Sequence, residues 1–185
     1  MCSRRKCGLT LTETLATLAL LVIVSGVLVE ISLGSFRIFA QTRAEAEMRS
    51  NAELLFEKVV TTVRKAMTIN QLTASTIDVT VPARDSNGKI IVGYSGVQAG
   101  NRVVIFRGDS LGSANASGLY LWQSVNGVVA TAPMGAEFSN CQFNALTVGG
   151  ATKGVQMILT YSTKVLGSRT VSDSFTQEVT CRNLP

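Results

Sequence analysis

Apolar residues crowd one end of this chain and alternate with polar ones at the other. From Thr14 to Val29 the run TLATLALLVIVSGVLV carries no charge. As a helix it is about 24 Å long, a little short of the roughly 30 Å of a bilayer core. Extension back to Leu9 and forward to Phe36 covers that thickness and takes in Glu13 and Glu30. Beyond Ala40 the chain turns charged, and Met48, Ala52, Leu55, Val59, Val63 and Met67 recur at helical spacing. The pattern predicts one helix to about Thr68, apolar in its first half and amphipathic in its second. Glu45 and Arg49 stand at the favourable i, i+4 orientation. The stripe reads most simply as a face packed on a sheet, with a short coiled-coil seam as the alternative.

After residue 70 the period changes to two. Ile77, Val79 and Val81 alternate with Thr76, Asp78 and Thr80, and Pro82 with Asp85-Ser86-Asn87-Gly88 closes that strand. Further strands are predicted at Arg102 to Arg107, Gly118 to Gln123, Val128 to Thr131, Glu137 to Leu146, Val155 to Tyr161 and Val171 to Cys181. Asn126-Gly127 is a hairpin signal. Gly108 to Gly118, rich in Gly, Ser, Asn and Ala, reads as a mobile loop. The expected class is α+β: a long N-terminal helix packed on a C-terminal antiparallel β-sheet body. The segments are a basic leader (1–8), a transmembrane helix half (9–39), an amphipathic helix half (40–68) and a β-rich body (69–185).

Charge sets the orientation. Arg4, Arg5 and Lys6 supply more than half of the formal net charge of +5, so the body is nearly balanced. Basic residues before the apolar run keep the N-terminus cytoplasmic and put the body outside the cytoplasm. A secretory signal peptide, an uncleaved anchor and a twin-arginine signal at Ser3-Arg4-Arg5 compete for the same segment. Glu13 speaks against the signal peptide and the anchor, because an acid at the start of a spanning helix is expensive and usually functional, and the residues after Arg4-Arg5 do not suit a twin-arginine signal.

The stretch Gly8-Leu9-Thr10-Leu11-Thr12-Glu13, after Arg4-Arg5-Lys6, resembles the class III signal of type IV pilins and type II secretion pseudopilins. That resemblance implies a pilin fold and a prepilin-peptidase cut between Gly8 and Leu9. It also implies N-methylation at Leu9, and Glu13 as the fifth mature residue. On this reading Glu13 of one subunit neutralises the Leu9 ammonium of a neighbour, since a buried unpaired charge costs several kcal/mol. The implied partners are the prepilin peptidase, other pilins or pseudopilins in a filament or its tip complex, and an inner-membrane assembly platform with its ATPase. The implied role is structural, with no catalytic residue, no metal and no cofactor. The implied location is the bacterial inner membrane, then the filament. The strand order and Glu178-Val179-Thr180-Cys181-Arg182-Asn183 are further similar to larger minor pilins and the J-type minor pseudopilin.

The rest of the chain bears on rivals. Histidine is absent, which removes Ser-His-Asp and Cys-His catalysis and His-ligated metals. No Walker, GxGxxG, HExxH, GxSxG or EF-hand pattern occurs. Asp78, Asp85, Asp109 and Asp173 read as solvated carboxylates, with a calcium loop the alternative. Glu30 reads as an interfacial residue that reaches water. A DNA-uptake pilin would need Arg102, Arg107, Lys153, Lys164 and Arg169 to cluster; a membrane-anchored extracytoplasmic enzyme would need chemistry the sequence does not spell. Tyr120 and Trp122 share parity and read as core rather than interface. Strand parity points Cys141 and Cys181 inward, which predicts a disulfide between them; two buried free thiols are the alternative. Cys2 and Cys7, in the leader, read as incidental.

Overall fold

The computed structural model describes residues 10–94, 96–165 and 169–181, with the side chains of Val148 and Ala151 left aside. Gly8, Leu9, the rest of the leader, and Arg182 and Asn183 lie outside the described residues. The chain divides between Arg43 and Ala44 into two compact units. One helix, α1 (Leu11–Lys65), runs through both.

In the first unit every residue from Leu11 to Leu33 is exposed. This part of α1 is long and apolar enough to cross a membrane. Its hydroxyl side chains fold back on the helix. Thr14 donates to the Leu11 carbonyl at 2.8 Å, Ser32 to Leu28 at 2.8 Å and Ser35 to Ile31 at 2.9 Å. Each of these three hydroxyls is thereby satisfied without water, as an apolar surrounding demands.

The second unit holds the body. Its strands are β1 (Thr68–Thr73), β2 (Thr76–Pro82), β3 (Val92–Gly93), β4 (Gly96–Val97), β5 (Ala99–Gly108), β6 (Tyr120–Val125), β7 (Val128–Val129), β8 (Asn140–Val148), β9 (Ala151–Val165) and β10 (Arg169–Thr180). They form a five-stranded antiparallel sheet, β1-β2-β5-β6-β7, a three-stranded sheet, β10-β9-β8, and a two-stranded ribbon, β3-β4. The expected α+β class is therefore observed, with the body's strands divided between separate sheets. Met48, Ala52, Leu55, Val59 and Val63 of the stripe are buried against Ile77, Val79, Ile105 and Leu121 of one sheet and Phe143, Val155, Met157 and Leu159 of the other, in one core. Alternation puts the odd residues of β5 and β9 inward, as period two requires. Gly135 crosses α1 so closely that an added Cβ would stand 2.7 Å from the Leu55 side chain.

Several expectations are corrected. The helix ends at Lys65 rather than near Thr68. Met67 donates its N–H to Thr80 O at 2.8 Å, which takes the chain out of the helix and into the sheet. Ala66, not Met67, is the last fully buried residue of the stripe. Strand β1 was not anticipated. A bulge between Ile69 and Gln71 spaces its two half-buried residues, Ile69 and Leu72, by three and hides the alternation. Arg49 also reaches the next turn, where its Nε pairs with Glu53 Oε1 at 3.3 Å. The hairpin at Asn126-Gly127 forms, with φ of 51° and 85° and Val125 opposite Val128.

The predicted Cys141–Cys181 disulfide is not made; both thiols are free. Both cysteines face the core, as their parity implies, but register separates them. Cys141 lies opposite Leu159, while Cys181 donates its N–H to Lys153 O six residues away along β9. β8 and β10 also flank β9 on opposite sides. The two Cα atoms are thus on the order of 20 Å apart, against a limit near 7 Å for a bridge.

Candidate functional site

The first turn of α1 is a capping box. Thr10 is its N-cap and Glu13 its third helical residue, the Thr-x-x-Glu arrangement in which each side chain satisfies the other's backbone. Glu13 Oε2 accepts from Thr10 N at 3.0 Å and from Thr10 Oγ1 at 3.1 Å, and Glu13 N points to Thr10 Oγ1 at 3.4 Å. A carboxylate there also suits the positive end of the helix dipole. The sequence carries this local role as Thr10-Leu11-Thr12-Glu13. Glu13 therefore has a partner within its own chain. Leu9 and Gly8, the other predicted site residues, lie outside the described residues.

The body's polar groups are arranged as anchors. Asp78, expected to be a solvated carboxylate, is 2 % exposed. It lies on β2 between Ile77 and Val79, facing away from the core. Arg102 Nε reaches both its oxygens at 3.1 and 3.0 Å, Arg102 also donates through Nη2, and Asn70 Nδ2 donates at 3.1 Å. The guanidinium holds this carboxyl below the usual carboxylate range, against the opposing push of burial.

Arg107 is buried and makes a clamp. Nε and Nη2 donate to Gly118 O at 3.0 and 2.9 Å, and Nη1 donates to Asn140 Oδ1 and Cys141 O, each at 3.0 Å. Its guanidinium carbon also stands 5.7 Å from the Phe138 ring centre. One side chain from β5 thus joins the 109–118 loop and β8. That loop, expected to be mobile, is hydrogen-bonded throughout: Asp109 Oδ1 accepts from Leu111 N at 2.9 Å and Ser113 N at 3.0 Å, and Asn115 N donates to Arg107 O at 2.9 Å. Trp122 is buried beneath it, donating Nε1–H to Asp109 O at 2.7 Å, on the face of β6 opposite core residue Leu121. Tyr120 is half-buried and donates to Glu137 at 3.1 Å.

Two of the five cations a nucleic-acid surface would use are thereby engaged, Arg102 by Asp78 and Arg107 by carbonyls. Lys164 and Arg169 occupy opposite faces of the β9–β10 hairpin, since Thr170 pairs with Lys164 and Arg169 with Val165. Among the described residues no three of His, Cys, Asp and Glu come together as a metal site. Cys141 is buried, and burial pushes its thiol up to about 12. Tyr161, two residues beyond Cys141's partner on β9, is likewise pushed up to about 12, with its hydroxyl buried and without a hydrogen-bond partner among the described residues. Its ring meets Phe175 edge-on, with centroids 6.4 Å apart. These groups stabilise the body. No protein-family model matches the chain, and comparison with curated proteins and with solved structures yields no match.

Proposed function

We propose that this chain is a minor pilin or pseudopilin. It is a structural subunit cut by prepilin peptidase between Gly8 and Leu9, methylated at Leu9, and assembled into a type IV pilus or type II secretion pseudopilus. The observation that carries the reading is the coincidence of Gly8-Leu9-Thr10-Leu11-Thr12-Glu13 with a helix whose next thirty or so residues bury nothing in their own chain. An apolar surface of that length has no use in a lone soluble body. It suits a bilayer first and a bundle of like helices afterwards. The body stays on the far side of the inner membrane, and the platform protein and its ATPase drive extrusion.

The capping box sharpens the test. Glu13 serves its own helix and, on this reading, also neutralises the Leu9 ammonium of a neighbour. Thr10→Ala removes the cap partner and leaves the charge; Glu13→Ala removes both; Glu13→Gln keeps a hydrogen-bonding side chain without the charge. The mass of the mature N-terminus reports the cut and the methyl group, and recovery from sheared filaments reports assembly. All three variants are expected to be cut, and only the two Glu13 variants to drop out of the filament. Equal losses for Thr10→Ala and Glu13→Ala would reduce Glu13 to a helix cap and sink the pairing.

A further inference from the structure

The two larger sheets of the body end in four strands, and three of these offer little to pair with. β7 is two residues long, β1 carries the bulge between Ile69 and Gln71, and β8 is already met by a loop, Phe143 N donating to Ala74 O at 3.1 Å. β10 is different. It has twelve residues, no proline and no bulge, and it pairs with β9 in one unbroken register. Among the described residues no strand pairs with its other side. A long, regular edge of this kind invites another strand.

The last bond of the ladder tells which groups face that side. Cys181 N donates to Lys153 O at 3.0 Å, one step past the pair Thr180–Gly154. Bonded pairs in an antiparallel ladder fall on every second residue. Odd residues of β10 therefore bond to β9, and the even ones, Thr170 to Thr180, turn N–H and C=O outward. Two of these outward groups are already taken, by side chains of the same strand. Asp173 Oδ1 accepts from Ser174 N at 2.8 Å, and Gln177 Nε2 donates to Glu178 O at 3.2 Å. Both side chains start on the core-facing parity, on either side of half-buried Phe175, yet both are exposed. A charge on the inward parity of an edge strand is a known means of keeping other strands away.

We propose that Asp173 and Gln177 shut this edge against β10 of a second copy. Outward groups on even residues allow only registers in which even residues face even ones. One such register puts Phe175 opposite Phe175. In it Ser174 N would meet Thr176 O of the other copy, and Glu178 O would meet Ser172 N. Those are the two groups that the side chains cover. The same register sets Val171 against Val179 and Thr170 against Thr180, and it opposes no two like charges. A shift by one step either way would set Phe175 against Asp173 or Gln177. β10 is thus complementary to itself, and the strand it must be kept from is its own duplicate. Neither residue belongs to the leader or to α1, so the guard acts whether or not the chain is cut and assembled.

The test uses two differently tagged full-length copies expressed together and held in detergent, one carrying Ser174→Cys and the other Thr176→Cys. Mild oxidation of this parent pair is expected to give no mixed dimer above the background of either variant alone. Asp173→Val with Gln177→Val in both copies is expected to raise the mixed dimer about tenfold or more, because each lost cap frees a backbone group for the neighbour. Asp173→Val alone should already raise it. Asp173→Asn, which keeps a side-chain oxygen for Ser174 N, should stay at the parent level. A parent pair that cross-links as well as the double variant overturns the guard. So does a double variant that keeps the parent's urea midpoint and gives no mixed dimer. A rise with Asp173→Asn equal to that with Asp173→Val overturns the cap and assigns the effect to charge alone. Should the double variant unfold, Asp173→Val by itself is read in the same way.

Discussion

A thiol at Cys141 sits opposite Leu159, enclosed by the core, while Cys181 is half-buried beyond the end of β10. Burial raises both above the ordinary cysteine value, Cys141 to about 12. The thiolate is the reactive form, so neither is a ready nucleophile near pH 8. Alkylation of the native protein should label Cys181 slowly and Cys141 only after unfolding, and the mass of the body should be the same with and without reductant. A loss of two mass units reversed by reductant would restore the bridge that the register excludes. Asp78 supports a prediction of opposite character. Its carboxyl is held below its unfolded value near 3.9, so its contribution is fully present above that value and disappears as pH falls through the lower, folded one. Because Arg102 is 64 % exposed, the pair is worth about 1 kcal/mol rather than a buried ion pair's full figure. Urea melts of the parent and Asp78→Asn should differ by that amount at pH 7 and converge towards pH 3.

At the scale of elements, legibility followed the distance over which a signal acts. The helical stripe and most strands were readable because burial of one face leaves a period in nearby residues. β1 is obscured by a bulge, and the β3–β4 ribbon by apolar residues, Val92 and Val97, that stand in solvent. The capping box was written plainly as Thr10-x-x-Glu13. Arg107 was not legible at all: an arginine on a strand reads as exposed unless the chain elsewhere supplies carbonyls to receive it. Here Gly118 and Cys141 do so, from separate elements. Removing the side chain orphans both carbonyls and severs the loop from β8. Arg107→Met should therefore cost about 3 kcal/mol or more, since each unmade buried hydrogen bond costs 1–3. Arg107→Lys should also destabilise, because one ammonium lacks the fork that reaches both. Equilibrium denaturation measures the loss, and hydrogen exchange at the Asn115 amide, which donates to Arg107 O, should rise in both variants.

The whole molecule consists of two compact units, and apolar surface and buried core divide between them. Residues 10–43 supply the apolar surface and Glu13, while every buried core residue belongs to the second unit, beginning with Met48. No core side chain is lost if the chain starts at Ala44. The last turns of α1 gain their stability from tertiary packing, with Leu55, Val59 and Val63 fully enclosed, rather than from the helix that precedes them. A chain of residues 44–185 is therefore expected to be soluble without detergent and to melt within about 2 °C of the detergent-held full chain, a shift of less than about 1 kcal/mol. It should sediment as a monomer, because the long apolar surface of residues 11–39 is gone. Substituting Leu55→Ala in this shortened chain should cost about 2–5 kcal/mol, with Gly135 unable to close the hole it leaves. A shortened chain that aggregates or melts far lower would mean that the first unit supports the body. Calorimetry and sedimentation of the two chains decide between a self-sufficient body and a body that depends on the apolar half of its helix.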